Sequence, residues 1–137
     1  MKWLVDTNVL SELRKGARCD PAVARWADGV PDEAMFTSVL VLGEIRRGVE
    51  RLRRKDAAQA KLLAKWLEQI RLAFAGRILE VTEQVAEEWG RLDAPDPRPV
   101  VDALLAATAK VNGMTLVTRN TGDFASTGVD VLNPFKT

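Results

Sequence analysis

Short apolar runs alternating with segments of helical period constrain this chain more than any other feature of its sequence. Lys2 to Val5, Met35 to Thr37, Ile78 to Val81, Thr115 to Val117 and Val129 to Leu132 are strand-length and bounded by turn or capping residues. Between them the pattern turns helical. Thr7 or Asn8 is expected to cap a short helix to about Leu13, and Asp20-Pro21 supplies an N-cap and an N1 proline for a helix to about Asp28. Ser38 caps Val39 to about Arg53, whose apolar stripe is Val41, Ile45, Gly48, Val49 and Leu52. Ala57 to Ala75 is rich in strong helix formers and stops at Gly76. Thr82 caps a helix to about Leu92, and the prolines between Asp93 and Pro99 enforce a loop. Val100 to Val111 is apolar nearly all round, so it belongs in the interior. Strands alternating with helices predict an α/β chain: one three-layer α/β/α sandwich over residues 1–137, with a parallel sheet of four to five strands.

The chemistry open to this chain is narrowed by what it lacks. It has no histidine and no tyrosine, and Cys19 is its one cysteine. That removes Ser-His-Asp and Cys-His nucleophiles, a tyrosine nucleophile, an internal disulfide and thiolate or imidazole zinc sites. Attack by a ribose 2′-hydroxyl through a pair of histidines is removed too. Carboxylates, Lys, Arg, hydroxyls or a bound metal must carry any reaction at neutral pH. No apolar stretch is long enough to cross a bilayer, and MKWLVD reads as a strand rather than a signal peptide. The expectation is a soluble cytoplasmic protein with no membrane partner. Net charge is +1, yet Glu44 to Lys55 holds six cations against two anions, and Arg14, Lys15 and Arg18 form a second cluster. Alone, such runs are solvated helix faces; beside an acidic metal site they become phosphate-steering surfaces.

Such a site is in prospect at one edge of the sheet. In open parallel sheets ligands bind beyond the carboxyl ends of the strands. Asp6 ends the first strand, and Asp123 follows the fourth within Thr118-Arg119-Asn120-Thr121-Gly122-Asp123. Asp102 falls in the first turn of the buried helix, and Glu44 at the margin of the apolar stripe after the second strand. Each has an ordinary structural role available: a turn, a cap, a helix-dipole partner, an ion pair. Four carboxylates at one edge repel each other unless a cation sits among them, and a hard divalent ion such as Mg²⁺ or Mn²⁺ suits oxygen ligands. Such an ion activates water and neutralises charge on a phosphodiester. Thr7, Asn8, Thr118, Arg119, Asn120, Arg46 and Arg47 are then candidates for supporting the acids or contacting phosphate.

The segments WLVDTNVLSEL, VLGEIRRGV, VVDALLAATAKVNG, TLVTRNTGDF and GVDVLNPF, in this order, resemble the PIN-domain ribonucleases. Within them the match is to VapC-type toxins of toxin–antitoxin pairs, including the FitB-like branch. The resemblance implies a Mg²⁺- or Mn²⁺-dependent endoribonuclease whose acids are Asp6, Glu44, Asp102 and Asp123. Asp6 and Asp102 match the most direct ligands, and Asp123 a more variable fourth acid. It further implies a homodimer, a cognate antitoxin wrapped on each protomer in a larger hetero-oligomer, and an RNA substrate. Trp26, Leu40, Leu42, Leu63 and Trp66 belong to the core by default, with a groove for a partner as the alternative. A housekeeping RNA-processing nuclease is the competing reading. A receiver-like phosphoacceptor module fits poorly: the second and third strands end in Thr37-Ser38 and Val81-Thr82, and no lysine follows the fourth.

Overall fold

The computed structural model describes residues 1–136; Thr137, the last residue of the expected domain, lies outside them. Its strands are β1 (Trp3–Val5), β2 (Met35–Ser38), β3 (Ile78–Leu79), β4 (Thr115–Val117) and β5 (Val131–Leu132). The α-helices are α1 (Thr7–Leu13), α2 (Pro21–Asp28), α3 (Val39–Arg53), α4 (Ala57–Ala73), α5 (Glu83–Asp93) and α6 (Val100–Val111). All strand pairs are parallel and the order is β3-β2-β1-β4-β5. The expected parallel sheet, flanked by helices, is therefore present with five strands.

Several boundaries differ from expectation: β1 starts at Trp3 instead of Lys2, α4 ends at Ala73 instead of Ala75, and β5 starts at Val131 instead of Val129. The third strand ends at Leu79 instead of Val81, because only Ile78 and Leu79 find partners, at Thr37 and Ser38 of β2. The cap of α1 is Asp6, not Thr7 or Asn8. Asp6 still donates its backbone N–H to Val117 of β4 at 2.9 Å, so it stays extended, and its carboxylate accepts from Thr7 N–H at 2.7 Å.

The core forms where the sequence pattern places it. Leu4, Val5, Leu116 and Val117 of the central strands are fully buried, as are Val41 of α3 and Ala103, Ala106, Ala107 and Ala109 of α6. Small residues along α6 let it pack closely on its neighbours. Trp26, Leu40, Leu42, Leu63 and Trp66 are half-buried and pack against this core, in line with their default assignment. Among the described residues no helix is long and apolar enough to cross a membrane.

β1 and β4 are adjacent, yet the chain leaves β1 for β2 on the opposite side. In an α/β sheet such a reversal of strand order marks the crevice, here beyond the carboxyl ends of β1 and β4, where ligands bind.

Candidate functional site

Asp6 and Thr118 stand directly after β1 and β4, at the mouth of that crevice. Asp6 is 7% exposed and Thr118 fully buried. The Thr118 hydroxyl donates to Asp6 Oδ2 at 2.8 Å and accepts from Asn8 Nδ2 and from Asn120 N–H, both at 3.2 Å. Asn8 Oδ1 accepts from Arg119 N–H at 3.1 Å, and its amide also reaches Asp6 Oδ2 at 3.5 Å. Asn8, Thr118, Arg119 and Asn120 therefore brace the seam between the two strand ends around one carboxylate. Burial pushes the Asp6 carboxyl above its ordinary range, while the hydrogen bonds from Thr118 and Thr7 pull it back.

Glu44 reaches the same edge from α3. Ser38, the last residue of β2, caps that helix through Leu40 N–H, so α3 starts where β2 ends. Half-buried, Glu44 accepts a 2.9 Å hydrogen bond from Thr7 Oγ1. Its carboxyl is raised, first by burial, against which the Thr7 hydroxyl acts; the charges of Asp6 and Asp102 raise it further, and Arg47 lowers it. No ion pair links Glu44 to its own helix, which was its ordinary alternative role.

Asp102 lies in the first turn of α6, whose N-cap, Pro99, offers no side-chain hydrogen bond. Among the described residues the Asp102 carboxylate accepts no hydrogen bond and joins no ion pair, so it is not a cap. Burial raises it, and the charges of Asp6 and Asp123 raise it again. The proline loop thus does bring the start of α6 to the edge that carries Asp6. Asp123 is exposed on a short 3₁₀ turn, Thr121–Phe124, and meets the others through its field on Asp102.

One residue that the sequence did not point to holds this outer part together. Arg98, alone among the prolines between Asp93 and Val100, donates to the Asp123 carbonyl at 3.0 Å and to Asp96 Oδ2 and Ser126 Oγ, both at 2.8 Å. Its side chain is only 10% exposed. A lone cation inside a proline-rich loop that precedes a buried helix was the available signal.

The basic candidates divide. Arg47 acts on Glu44, whereas Arg46 pairs with Glu50 at 3.8 Å. Two residues beyond Glu44, Arg46 lies roughly 200° around the helix from it. The Arg119 guanidinium lies 4.4 Å from the Phe135 ring centroid, leaving its backbone N–H as the group tied into the strand-end network. In the second basic cluster, Arg14 lies over the Trp66 ring and Lys15 pairs with Glu12 at 3.0 Å.

The set as a whole is acidic, oxygen-only and uncompensated. Among the described residues none of Asp6, Glu44, Asp102 and Asp123 pairs with Lys or Arg. Among the described residues no three His, Cys, Asp or Glu side chains stand close enough to enclose an ion unaided.

The chain as a whole is similar to known proteins. A family model described as "PIN domain" matches residues 3–129. Toxin FitB of Neisseria gonorrhoeae is 35% identical, over 96% of this chain and 97% of that protein. VapC ribonuclease Y4jK of Sinorhizobium fredii is 32% identical, over 97% of each. The crystal structure of FitAcB from Neisseria gonorrhoeae superposes with a TM-score of 0.87 at 33% identity, covering 98% of this chain and 99% of that one. With its parallel sheet, its crevice between β1 and β4 and these relatives along its whole length, the chain belongs to the PIN-domain family, among the VapC and FitB toxins.

Proposed function

We propose that this protein is a Mg²⁺- or Mn²⁺-dependent endoribonuclease acting as the toxin of a toxin–antitoxin pair. The observation that carries the reading is the gathering of acids at one edge: Asp6, Glu44 and Asp102 are all raised by burial, Asp6 raises the other two further, and among the described residues none of the three forms an ion pair with Lys or Arg. A protein tolerates such repulsion where a cation relieves it.

The donor set fits a hard divalent ion, since every candidate ligand is a carboxylate oxygen. Asp6 and Asp102 are the main ligands, Glu44 supports them and Asp123 adds a fourth, outer carboxylate. The open arrangement suits Mg²⁺, which keeps several waters and takes one or two carboxylates. When bound, the ion supplies Lewis-acid stabilisation of the phosphodiester and lowers the pKa of a coordinated water. The chain's own residues do the rest. Thr118 and Thr7 N–H fix the Asp6 carboxylate in one orientation, and the Thr7 hydroxyl does the same for Glu44. A raised carboxyl such as Glu44 holds or passes a proton more readily than an ordinary one. Arg47, whose charge acts on Glu44, is the candidate to meet phosphate.

The relatives support the toxin role over housekeeping RNA processing. Their names are Toxin FitB, VapC ribonuclease and, for a 30% identical protein of Pseudomonas syringae, plasmid stability protein StbB. Similar solved structures are toxin–antitoxin complexes, among them FitAB bound to a DNA fragment. That kinship supports an antitoxin partner; a homodimer inside a larger complex and a cytoplasmic location belong to the same proposal. The test is cleavage of RNA by the purified chain with added Mn²⁺, followed by sequencing of the new ends. Loss of cleavage on chelation and in Asp6→Asn is expected; full cleavage by a pure Asp6→Asn preparation would refute the mechanism.

A further inference from the structure

The α3 helix carries three distinct faces. Val41, Ile45 and Val49 point into the core. Arg46, Glu50 and Arg53 form an exposed ion-pair group, with Glu50 at 3.8 Å from Arg46 and 3.1 Å from Arg53. The third face begins at Glu44 and continues through Arg47 and Arg51, three and seven residues on and so on one side of the helix. Arg54 and Lys55, in the turn that follows, prolong it. Arg47, Arg51, Arg54 and Lys55, together with Glu50, line one surface concavity of about 730 Å³. None of these four cations forms an ion pair among the described residues.

Like charges cluster without partners at a cost, unless an anion regularly fills the space between them. The spacing also has a direction. Glu44 to Arg54 spans about 15 Å of helix at 1.5 Å per residue, and its inner end is a carboxylate of the proposed cleavage site. We infer that this face is a track for the phosphate backbone of the RNA strand, leading from the α3–α4 turn to the carboxylate edge. The inference rests on the nuclease reading for its substrate, and it adds which cations hold the strand. The lining contains no aromatic ring to stack a base and no Asn or Gln to read one. The track therefore contributes affinity and orientation, while sequence choice is made elsewhere.

The experiment measures binding of a fluorescent oligoribonucleotide of mixed sequence to the intact chain in chelator, over a range of salt. For single strands each lost phosphate contact lowers the slope of log K against log salt by about 0.7. Arg51→Ala combined with Arg54→Ala should lower the slope by that amount per contact, equally for different RNA sequences. Arg53→Ala, an exposed arginine of equal charge on the ion-pair face, should leave it unchanged. An unchanged slope in the double variant overturns the track. So does an equal loss in Arg53→Ala, which would make the effect one of total charge. A change in sedimentation of the double variant with RNA binding intact would make the face a protein interface instead, and also overturns it. Cleavage of RNA by the intact chain with Mn²⁺ is scored separately; its absence, with the slope changes present, would sink the nuclease reading and leave the track standing.

Discussion

The Thr118 hydroxyl donates a 2.8 Å hydrogen bond to Asp6 Oδ2 across 112 residues of chain, and neither group is open to bulk water. With its proton committed to Asp6, Thr118 Oγ1 accepts from Asn8 and Asn120. Every polar capacity of that hydroxyl is used. Thr118→Val keeps the shape but strands two donors and removes a hydrogen bond that favours the Asp6 carboxylate. Cleavage should fall about 10–100-fold, and the acidic limb of the pH–rate profile should move to higher pH. Thr118→Ser should recover most of the activity. A valine variant with an unmoved profile would show that Thr118 only fills space.

Asp6→Asn separates charge from architecture. Asparagine caps a helix as well as aspartate does, so Thr7 N–H keeps its acceptor. Cleavage should drop by more than about 100-fold, while the melting temperature in chelator should hold or rise, because Glu44 and Asp102 lose a repelling neighbour. A large loss of stability on calorimetry would mean that the carboxylate is a structural requirement.

The same carboxyls set a pH dependence of stability with a definite sign. Asp6, Glu44 and Asp102 titrate higher in the folded protein than in the unfolded chain. Between the ordinary carboxylate range and the raised folded values, the native state therefore binds more protons. Stability contributed by these groups falls as pH rises through that window and stays low above it. Glu12, held below its ordinary value by the Asp20 amide and Lys15, works in the opposite direction, so a comparison isolates the effect. Asp6→Asn should melt above the intact chain at neutral pH in chelator, with the gap closing as pH falls. Added Mn²⁺ should close it at neutral pH by stabilising the intact chain, by about 2.7 kcal/mol at a hundred times its Kd. A gap independent of pH would show that Asp6 is not raised.

Arg98 and Asp123 should behave as one unit. The guanidinium holds the Asp123 carbonyl and Ser126, so Arg98→Ala frees the turn that presents the fourth acid. Loss of these charge-assisted bonds should cost roughly 1–3 kcal/mol and raise hydrogen exchange in residues 121–126. Arg98→Ala and Asp123→Asn should each weaken cleavage, and the double variant should be no worse than the more damaged single one. Multiplied losses would show that the two act separately.

The sheet and its helices were legible because each rests on local periodicity. Val41, Ile45 and Val49 announce a buried helix stripe by spacing alone, and Ser38 announces its start. Asp6 and Asp123 were legible as residues placed after strands, Asp102 as one in a first helical turn, and Glu44 as one at the margin of an apolar stripe. What escaped depends on contacts between distant segments. Asp6, Thr7 and Asn8 are all capping types, and only the bond from Asp6 N–H to Val117 decides among them. Arg98 reaches Asp123 across 25 residues, and nothing in either neighbourhood encodes that meeting. Arg46 and Arg47 are adjacent and identical in sequence terms, yet helical geometry sends one to Glu50 and the other toward Glu44.

The sheet order has a further consequence in time. Asp6 and Glu44 are present within the first third of the chain, but β4, the neighbour of β1, begins at Thr115. A ribosome working from the N-terminus releases β1 long before its partner exists. Until residue 118 is free to fold, Asp6 has no Thr118 hydroxyl to orient it and Glu44 has no Asp102 across from it. Under the proposed function the half-made polypeptide is inert, and the carboxylates assemble only as a long-range parallel pairing closes, which is a slow step.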